Sequence, residues 1–421
     1  MIITIPTEFN FSNNGIIDFD KILSVFNWET KENEITIDFK QCFDANYQTL
    51  SLLVPFIMKK KSEGKLIKII YNDHPRSASN MWKKMGAQGL FNVLLNETNN
   101  FVSNKFKPMF ALRSNKDFQL ILNKIADFTD EFDIQYEKTL RYILSELFYN
   151  SIEHGCSYYN HGYKSFPLPA TVQFSFYEKR NEISFMIADL GIGIKKHIEQ
   201  TYPGFKNDIE AITHSLKPNI SGTFAKRMRN PYSQINNAGM GLYLSSNIVK
   251  RLHSDMYIIS GNGMVHISPN DMTTKNLKYN WPGTFIYLTI KLNRQLNESF
   301  DNLLETFRKS AQEEQKHNDS KENTNKFYVN IFNHFGSFAE DKEKAIKFRE
   351  EKIIPAINEG KNVIFDFSNV TSSPHSFINA LIASPIEKLG LIAYKKIKVI
   401  NGTKDINGIV EYIFEEYTPD H

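Results

Sequence analysis

Cysteine is scarce in this chain: its 421 residues include two, Cys42 and Cys156. Two isolated thiols far apart in sequence build neither a disulfide framework nor a thiolate metal site, and they suit a reducing compartment. Long apolar runs are missing as well. The longest stretch read from the sequence, residues 51–58 (SLLVPFIM), falls far short of the ~18 residues a membrane-spanning helix needs. The opening residues, MIITIPTEFN, lack a basic region followed by a long apolar one, so no secretory signal is expected. Charge of one sign is not in excess. Lys and Arg total 50 against 47 Asp and Glu, a formal net charge of +3, and a dedicated nucleic-acid binder would need a strong basic patch. The expectation is a cytoplasmic protein that binds neither nucleic acid nor membrane.

The remaining composition, 41% hydrophobic and 23% charged, excludes wholesale disorder and fibrous repeats. At about 100–200 residues per domain, two to four domains are expected. Residues 1–104 read as an α/β domain. Residues 35–39 (ITIDF) alternate as a strand, 47–63 form a helix stopped by Gly64, 66–71 form a second strand, and 78–85 form a helix closed by Gly86. Residues 105–295 carry the chemistry. Helices over 118–128 and 135–153 precede strands over 171–177 and 182–188. Later strands are expected over 256–260, 264–267 and 284–292, with Gly261-Asn262-Gly263 reading as a hairpin turn between the first two. Residues 296–326 are a charged linker, and 308–326 read as a helical or flexible connector. Residues 327–421 read as another α/β unit, with strands over 327–332, 362–367 and 397–400 and helices over 340–358 and 376–389. The first and third segments share a plan: a strand ending in Asp-Phe (Asp38-Phe39, Asp366-Phe367), a polar loop, a helix and a further strand.

Four short motifs in the middle segment carry chemistry. Glu146, Asn150 and His154 recur every four residues and so share one helical face. Asn150 offers a neutral oxygen suited to a hard cation such as Mg²⁺, and Glu146 could deprotonate a water or hydroxyl. A solvated polar face is the ordinary alternative. In IADLGIGI an apolar strand runs into Asp189, which could accept from an amino group. Gly191 and Gly193 follow and permit close ligand approach. In NAGMGLYL, Gly239 and Gly241 precede a helix whose first amides can meet phosphate, although an ordinary helix-entry turn looks the same. Gly283-Thr284 opens a late strand and says little alone.

In this order and spacing, the four motifs resemble those of the GHKL superfamily, which includes gyrase-type ATPases, histidine kinases and anti-sigma-factor serine kinases. The ending Ile152-Glu153-His154-Gly155 is most similar to the last branch. The resemblance implies an α/β sandwich (α+β), the Bergerat fold, with ATP and Mg²⁺ between sheet and helices. Asn150 would then hold Mg²⁺ and Asp189 would read adenine, supported by Thr284 directly or through water. Gly191 and Gly193 would border the base, while Gly239, Met240, Gly241 and Leu242 would offer amides to the phosphates. Glu146 would be the general base. Residues 194–238 would form a lid carrying Lys195, Lys196, Lys226, Arg227 and Arg229.

Residues 362–373 (NVIFDFSNVTSS) are similar to STAS domains, the fold of anti-sigma-factor antagonists, and more so to a STAS-like domain of unassigned function. Ser372 or Ser373 stands nearest the antagonists' phosphate acceptor, while helix capping is their ordinary role. Residues 1–104 resemble the STAS fold more faintly. A cis-acting histidine kinase is not expected, because only His74, in a turn-like Asn-Asp-His-Pro-Arg, precedes Glu146. The expectation is a Mg-ATP-binding switch that hydrolyses ATP slowly and acts on a protein partner or as a homodimer. A serine/threonine protein kinase and a non-catalytic nucleotide sensor are the alternatives.

Overall fold

The computed structural model describes residues 1–13, 16–90, 107–129, 133–153, 155, 157–161, 164–200, 202, 204–218, 220, 240–291, 299–321 and 326–418. The chain is of the α/β class and forms two compact units. One is built mainly from the residues up to Phe307 and the other mainly from Arg308–His421.

The first unit opens with β1 (Ile2–Thr4), α1 (Phe19–Leu23), β2 (Glu34–Asp38), α2 (Tyr47–Ser62), β3 (Leu66–Ile70) and α3 (Ala78–Lys84). The strands pair in parallel in the order β1-β2-β3. Helix α2 starts where Asn46 Oδ1 accepts from Thr49 N at 2.7 Å. It stops before Gly64, whose φ of +80° a glycine takes without steric penalty.

A larger sheet follows, built from β4 (Met109–Leu112), β5 (Ala170–Tyr177), β6 (Glu182–Ala188), β7 (Asp255–Ile267) and β8 (Met272–Lys291). Its order is β7-β8-β6-β5-β4, with every neighbour antiparallel. Helices α4 (Asn115–Thr129), α5 (Ile134–Glu153) and α8 (Gly241–Arg251) pack on one face, and α6 (Ile194–Glu199) and α7 (Asp208–Ser215) lie before α8 in the chain. All seven residues of β6 are buried, which is how a strand behaves when both faces of its sheet are covered. The cover on the second face is the N-terminal segment. Met109, Ala111, Met186, Ala188, Ile259 and Phe285 share one core with side chains of α1 and α2, among them Phe19, Leu52 and Phe56.

The turn expected at Gly261-Asn262-Gly263 is not one. Strand β7 runs straight through it, with two register shifts against β8, and the hairpin lies further on, between Ile267 and Met272. The glycines serve close packing instead. A Cβ on Gly261 (φ +61°) would collide with the Asp208 carboxylate, and one on Gly263 would sit 2.8 Å from Ile209 N. Their absence lets the start of α7 dock on the bulged strand, where Asp208 Oδ2 accepts from Asn262 N at 3.1 Å.

The connector expected over residues 308–326 is helical and begins earlier, as α9 (Phe300–Lys321). Then come β9 (Lys326–Asn330), α10 (Lys342–Phe348), a π-turn at Arg349–Ile353, α11 (Ile354–Asn358), β10 (Asn362–Asp366), α12 (His375–Leu389), β11 (Ile397–Ile400) and α13 (Lys404–Tyr417). Strand β9 ends before the expected Phe332, because Asn330 Oδ1 caps a short helix through Asn333 N at 2.9 Å. The three strands are parallel, in the order β9-β10-β11. The helical run His375–Lys396 is long and apolar enough, at mean hydropathy 1.3, to meet the length and composition of a membrane span. The sequence reading had no such segment. In this unit, however, the run's Phe377, Ile378, Leu381 and Ile386 are core residues.

The two three-stranded sheets agree bond for bond around their central strands. Asp38 Oδ1 accepts from Lys40 N at 2.9 Å, and Asp366 Oδ1 from Ser368 N at 2.9 Å. Phe39 N donates to Ile70 O, and Phe367 N to Ile400 O, both at 3.0 Å. Further along, Phe43 N and Asp44 N converge on Thr7 O at 3.1 and 3.0 Å, while Thr371 N and Ser372 N converge on Ser337 O at 2.8 and 3.5 Å. In each case the ninth residue after the aspartate, Tyr47 or His375, opens the helix.

Candidate functional site

The site is built around Asp189, the residue after β6, which is 6% exposed. Its backbone N–H continues the ladder to Thr284 O at 2.8 Å, and its carbonyl accepts from Trp281 Nε1 at 2.9 Å. The side chain is held as firmly. Oδ1 accepts from Gly191 N at 3.0 Å and from Thr284 N at 3.1 Å, while Oδ2 takes no hydrogen bond among the described residues. Burial pushes this carboxyl up from the ordinary 3.8 to about 6, against the two backbone donors, which lower it. A buried, oriented acceptor with one oxygen unspent suits an amino group of a ligand.

Glycines make this possible. A Cβ on Gly155 would stand 2.7 Å from Asp189 Cβ and Cγ, so the end of α5 rests directly on the aspartate. A Cβ on Gly283 would stand 2.7 Å from both Asp189 Oδ1 and Gly191 N. Gly193 has φ +77° and faces Ser260 Oγ at 3.1 Å from its missing Cβ. Ser260 was not singled out from the sequence, yet it ties the site together. Its hydroxyl accepts from Ile194 N at 2.9 Å and from Thr284 Oγ1 at 3.2 Å, and donates to Gly283 O at 3.0 Å. That spends the one donor and two acceptors a hydroxyl has. Thr284 therefore supports Asp189 through its backbone N–H, while its hydroxyl goes to Ser260. A polar residue closing the apolar run MYII was the one sequence signal for Ser260; Trp281 gave none.

The other motifs meet on the helices. Glu146 and Asn150 lie on α5, both half-buried, one turn apart. Glu146 lies against the start of α8: a Cβ on Gly241 would collide with its Oε2. The carboxylate thus sits at a helix N-terminus, where the aligned peptide dipoles favour negative charge. Met240 is the N-cap of α8 and makes no side-chain cap bond, so no cap side chain spends the first amides, at Gly241 and Leu242. Met240 and Gly241 are buried and Leu242 half-buried. Asn150 makes no hydrogen bond among the described residues. It lies ~6 Å along the helix axis from Glu146 and ~8 Å from Gly155, at 1.5 Å rise per residue. The structure thus brings Asp189, Gly191, Gly193, Gly283 and Thr284 together around one carboxylate, and Glu146, Met240, Gly241 and Leu242 around one helix start. Helix α5 connects the two groups.

Gly239, His154, Lys226, Arg227 and Arg229 lie outside the described residues. Of the lid cations, Lys195 pairs with Glu199 at 3.9 Å. Within the segment expected to form the lid lies α7, docked on β7. Among the described residues, no cluster of three or more His, Cys, Asp or Glu could hold a metal ion. A cation here would need ligand oxygens besides those of the protein.

In the second unit neither serine caps α12, whose N-cap is Pro374 without a side-chain bond. The Ser373 hydroxyl is buried and donates to Ala339 O at 2.7 Å, while Ser372 is exposed. At the end of β10, burial would raise the Asp366 carboxyl. Donors from Ser368, Tyr328 and Asn401 outweigh it and hold the group well below the usual carboxylate range.

These features define an α/β protein with a buried, oriented carboxylate in its first unit and a small parallel sheet in its second. Residues 344–407 match the family model of a STAS-like domain of unknown function, DUF4325. The second unit therefore contains a STAS-like domain. No curated protein matches the chain.

Proposed function

We propose that residues 105–295 form a nucleotide-binding domain of the GHKL type and that the chain is a Mg-ATP-dependent switch. One observation carries the reading. Asp189 is a buried carboxylate fixed through one oxygen by Gly191 N and Thr284 N, with the other oxygen taking no bond among the described residues. A buried acid with no ion-pair partner among the described residues is expensive, and recognition of an adenine amino group gives it a use. The backbone at Gly155 and Gly283 packs so close to this carboxylate that a Cβ on either would collide with it, which fits a position reserved for a side chain that must not move.

The remaining residues fit the rest of such a ligand. The uncapped first amides of α8, at Gly241 and Leu242, suit phosphate, with Met240 and Gly239 leading into them. Asn150 would add its amide oxygen to a Mg²⁺ held mainly by phosphate oxygens. Bound Mg-ATP supplies an activated phosphoryl group. Glu146 would orient and deprotonate the attacking water. Glu146 lies at a helix start, where the aligned peptide dipoles favour negative charge.

The N-terminal segment, whose central strand ends in the same backbone hydrogen-bond pattern as that of the STAS-like unit, reads as a second copy of that plan. Trp281 joins it to the pocket. Its ring meets Phe26 at 5.7 Å and Trp28 at 5.2 Å, while its Nε1 holds the Asp189 carbonyl. ATP or ADP at Asp189 would thereby alter the packing of the N-terminal segment, for a protein partner or a second copy of the chain to read. If Glu146 serves a protein hydroxyl instead of water, the exposed Ser372 is a better acceptor than the buried, bonded Ser373.

The test is incubation with γ-labelled ATP and Mg²⁺. Slow release of free phosphate, abolished by Glu146→Ala, is expected. Label on protein, lost in Ser372→Ala, would move the reading to a kinase, and absence of ATP binding by calorimetry would end it.

A further inference from the structure

On the sheet face away from α5 and α8, the start of α2 and the ends of β5, β6 and β8 enclose a cavity of about 320 Å³. That is the lower end of the size range of small-molecule pockets. Three tyrosines wall it, Tyr47 from the first turn of α2, Tyr177 from β5 and Tyr287 from β8. Buried Gln48 donates to Gln173 Oε1 at 3.2 Å and accepts from Tyr177 Oη at 3.2 Å. The Tyr177 ring is therefore held through its hydroxyl.

The charged groups around the cavity are of both signs. Asp44 accepts from the neutral Asn10 Nδ2 at 2.8 Å, and Glu182 pairs with Lys291. Arg180 has no acidic partner among the described residues, and its guanidinium lies 5.3 Å from the Tyr177 ring centre. Lys107 lies over that same ring at 3.8 Å and over Tyr47 at 5.4 Å. Burial, and then the charge of Arg180, push the Lys107 ammonium down to about 8. Two cations thus share the Tyr177 ring, and the N-terminal turn of a 16-residue helix lines the same space.

We propose that this cavity is a second small-molecule site, separate from the Asp189 pocket, taking a flat aromatic ring that bears a carboxylate or phosphate. The ring stacks among the tyrosines and the anion meets Arg180 at the mouth, as aromatic walls with one placed charge recognise such molecules.

Calorimetry on the full chain tests it with phenyl phosphate and benzoate, set against cyclohexyl phosphate and inorganic phosphate. At least one aromatic anion should bind saturably, with Kd about 1 mM or tighter, and the non-aromatic anions at least about tenfold more weakly. The better of phenyl phosphate and benzoate identifies the acid group. Arg180→Gln, at an exposed position where the fold is not at risk, should weaken binding about tenfold. Tyr47→Leu should weaken only the aromatic anions, and Asp189→Asn should change nothing. The proposal is overturned by absence of saturation, by equal affinity for inorganic phosphate, by insensitivity to Arg180→Gln, or by loss of binding in Asp189→Asn.

Discussion

Replacing Asp189 by asparagine separates what the residue does for the fold from what it does for a ligand. Burial raises its pKa from 3.8 to about 6. The folded chain therefore holds this proton more tightly than the unfolded chain does. Stability from this group is greatest below about pH 4, falls as pH rises through about 6, and stays low above that. A shift of some two units corresponds to ~3 kcal/mol between those limits. The substituted amide would keep an Oδ1 acceptor for Gly191 N and Thr284 N but carry no charge. Urea denaturation should then find Asp189→Asn more stable than the parent by up to ~3 kcal/mol near pH 8, and nearly equal near pH 4. Every other titrating group is common to both proteins and cancels in the difference. The same variant should bind ATP about ten- to a hundredfold more weakly, since an amide NH₂ faces a donor where an oxygen stood. A stability difference independent of pH, or a variant less stable near pH 8, would refute the account of a strained buried charge.

Three other changes probe the same framework. Gly155→Ala places a methyl 2.5 Å from Ser151 O and 2.7 Å from Asp189 Cγ, neither of which can swing aside, so the thermal midpoint should drop by the equivalent of about 2 kcal/mol or more. Gly241→Ala meets only the flexible end of Glu146, so stability should stay within about 1 kcal/mol, while phosphate release falls as it does in Glu146→Ala. Trp281→Phe removes the donor to Asp189 O, at a loss of about 1 kcal/mol by denaturation, and should abolish most of the tryptophan fluorescence change on adding ATP.

Local elements were legible because their signals are local. The strand read in ITIDF, the Gly64 and Gly86 stops, and the helix that carries Glu146 and Asn150 each sit within one window, and each appears in the structure. Asp189 was legible as a strand-end acid before glycines. Thr284 was placed beside it only through the resemblance, and Ser260 and Trp281 were not legible, because they reach it across 71 and 92 residues of chain. Gly261-Asn262-Gly263 misled for a related reason. A turn and a bulge ask for the same residues, and only the docking of α7, invisible in a short window, decides between them. Strand β1 and helix α13 were missed, one being three residues long and the other lacking a starting signal recognised beforehand.

The covered second face of the large sheet bears on how this protein can be taken apart. Ala188, the neighbour of Asp189, is packed in a core whose other wall is the N-terminal segment. A fragment beginning near residue 105 would present Met186, Phe285 and Trp281 to water and invite self-association. The two halves of the first unit should therefore melt in one cooperative transition, and whatever loosens the amino-terminal layer is felt one residue away from the pocket.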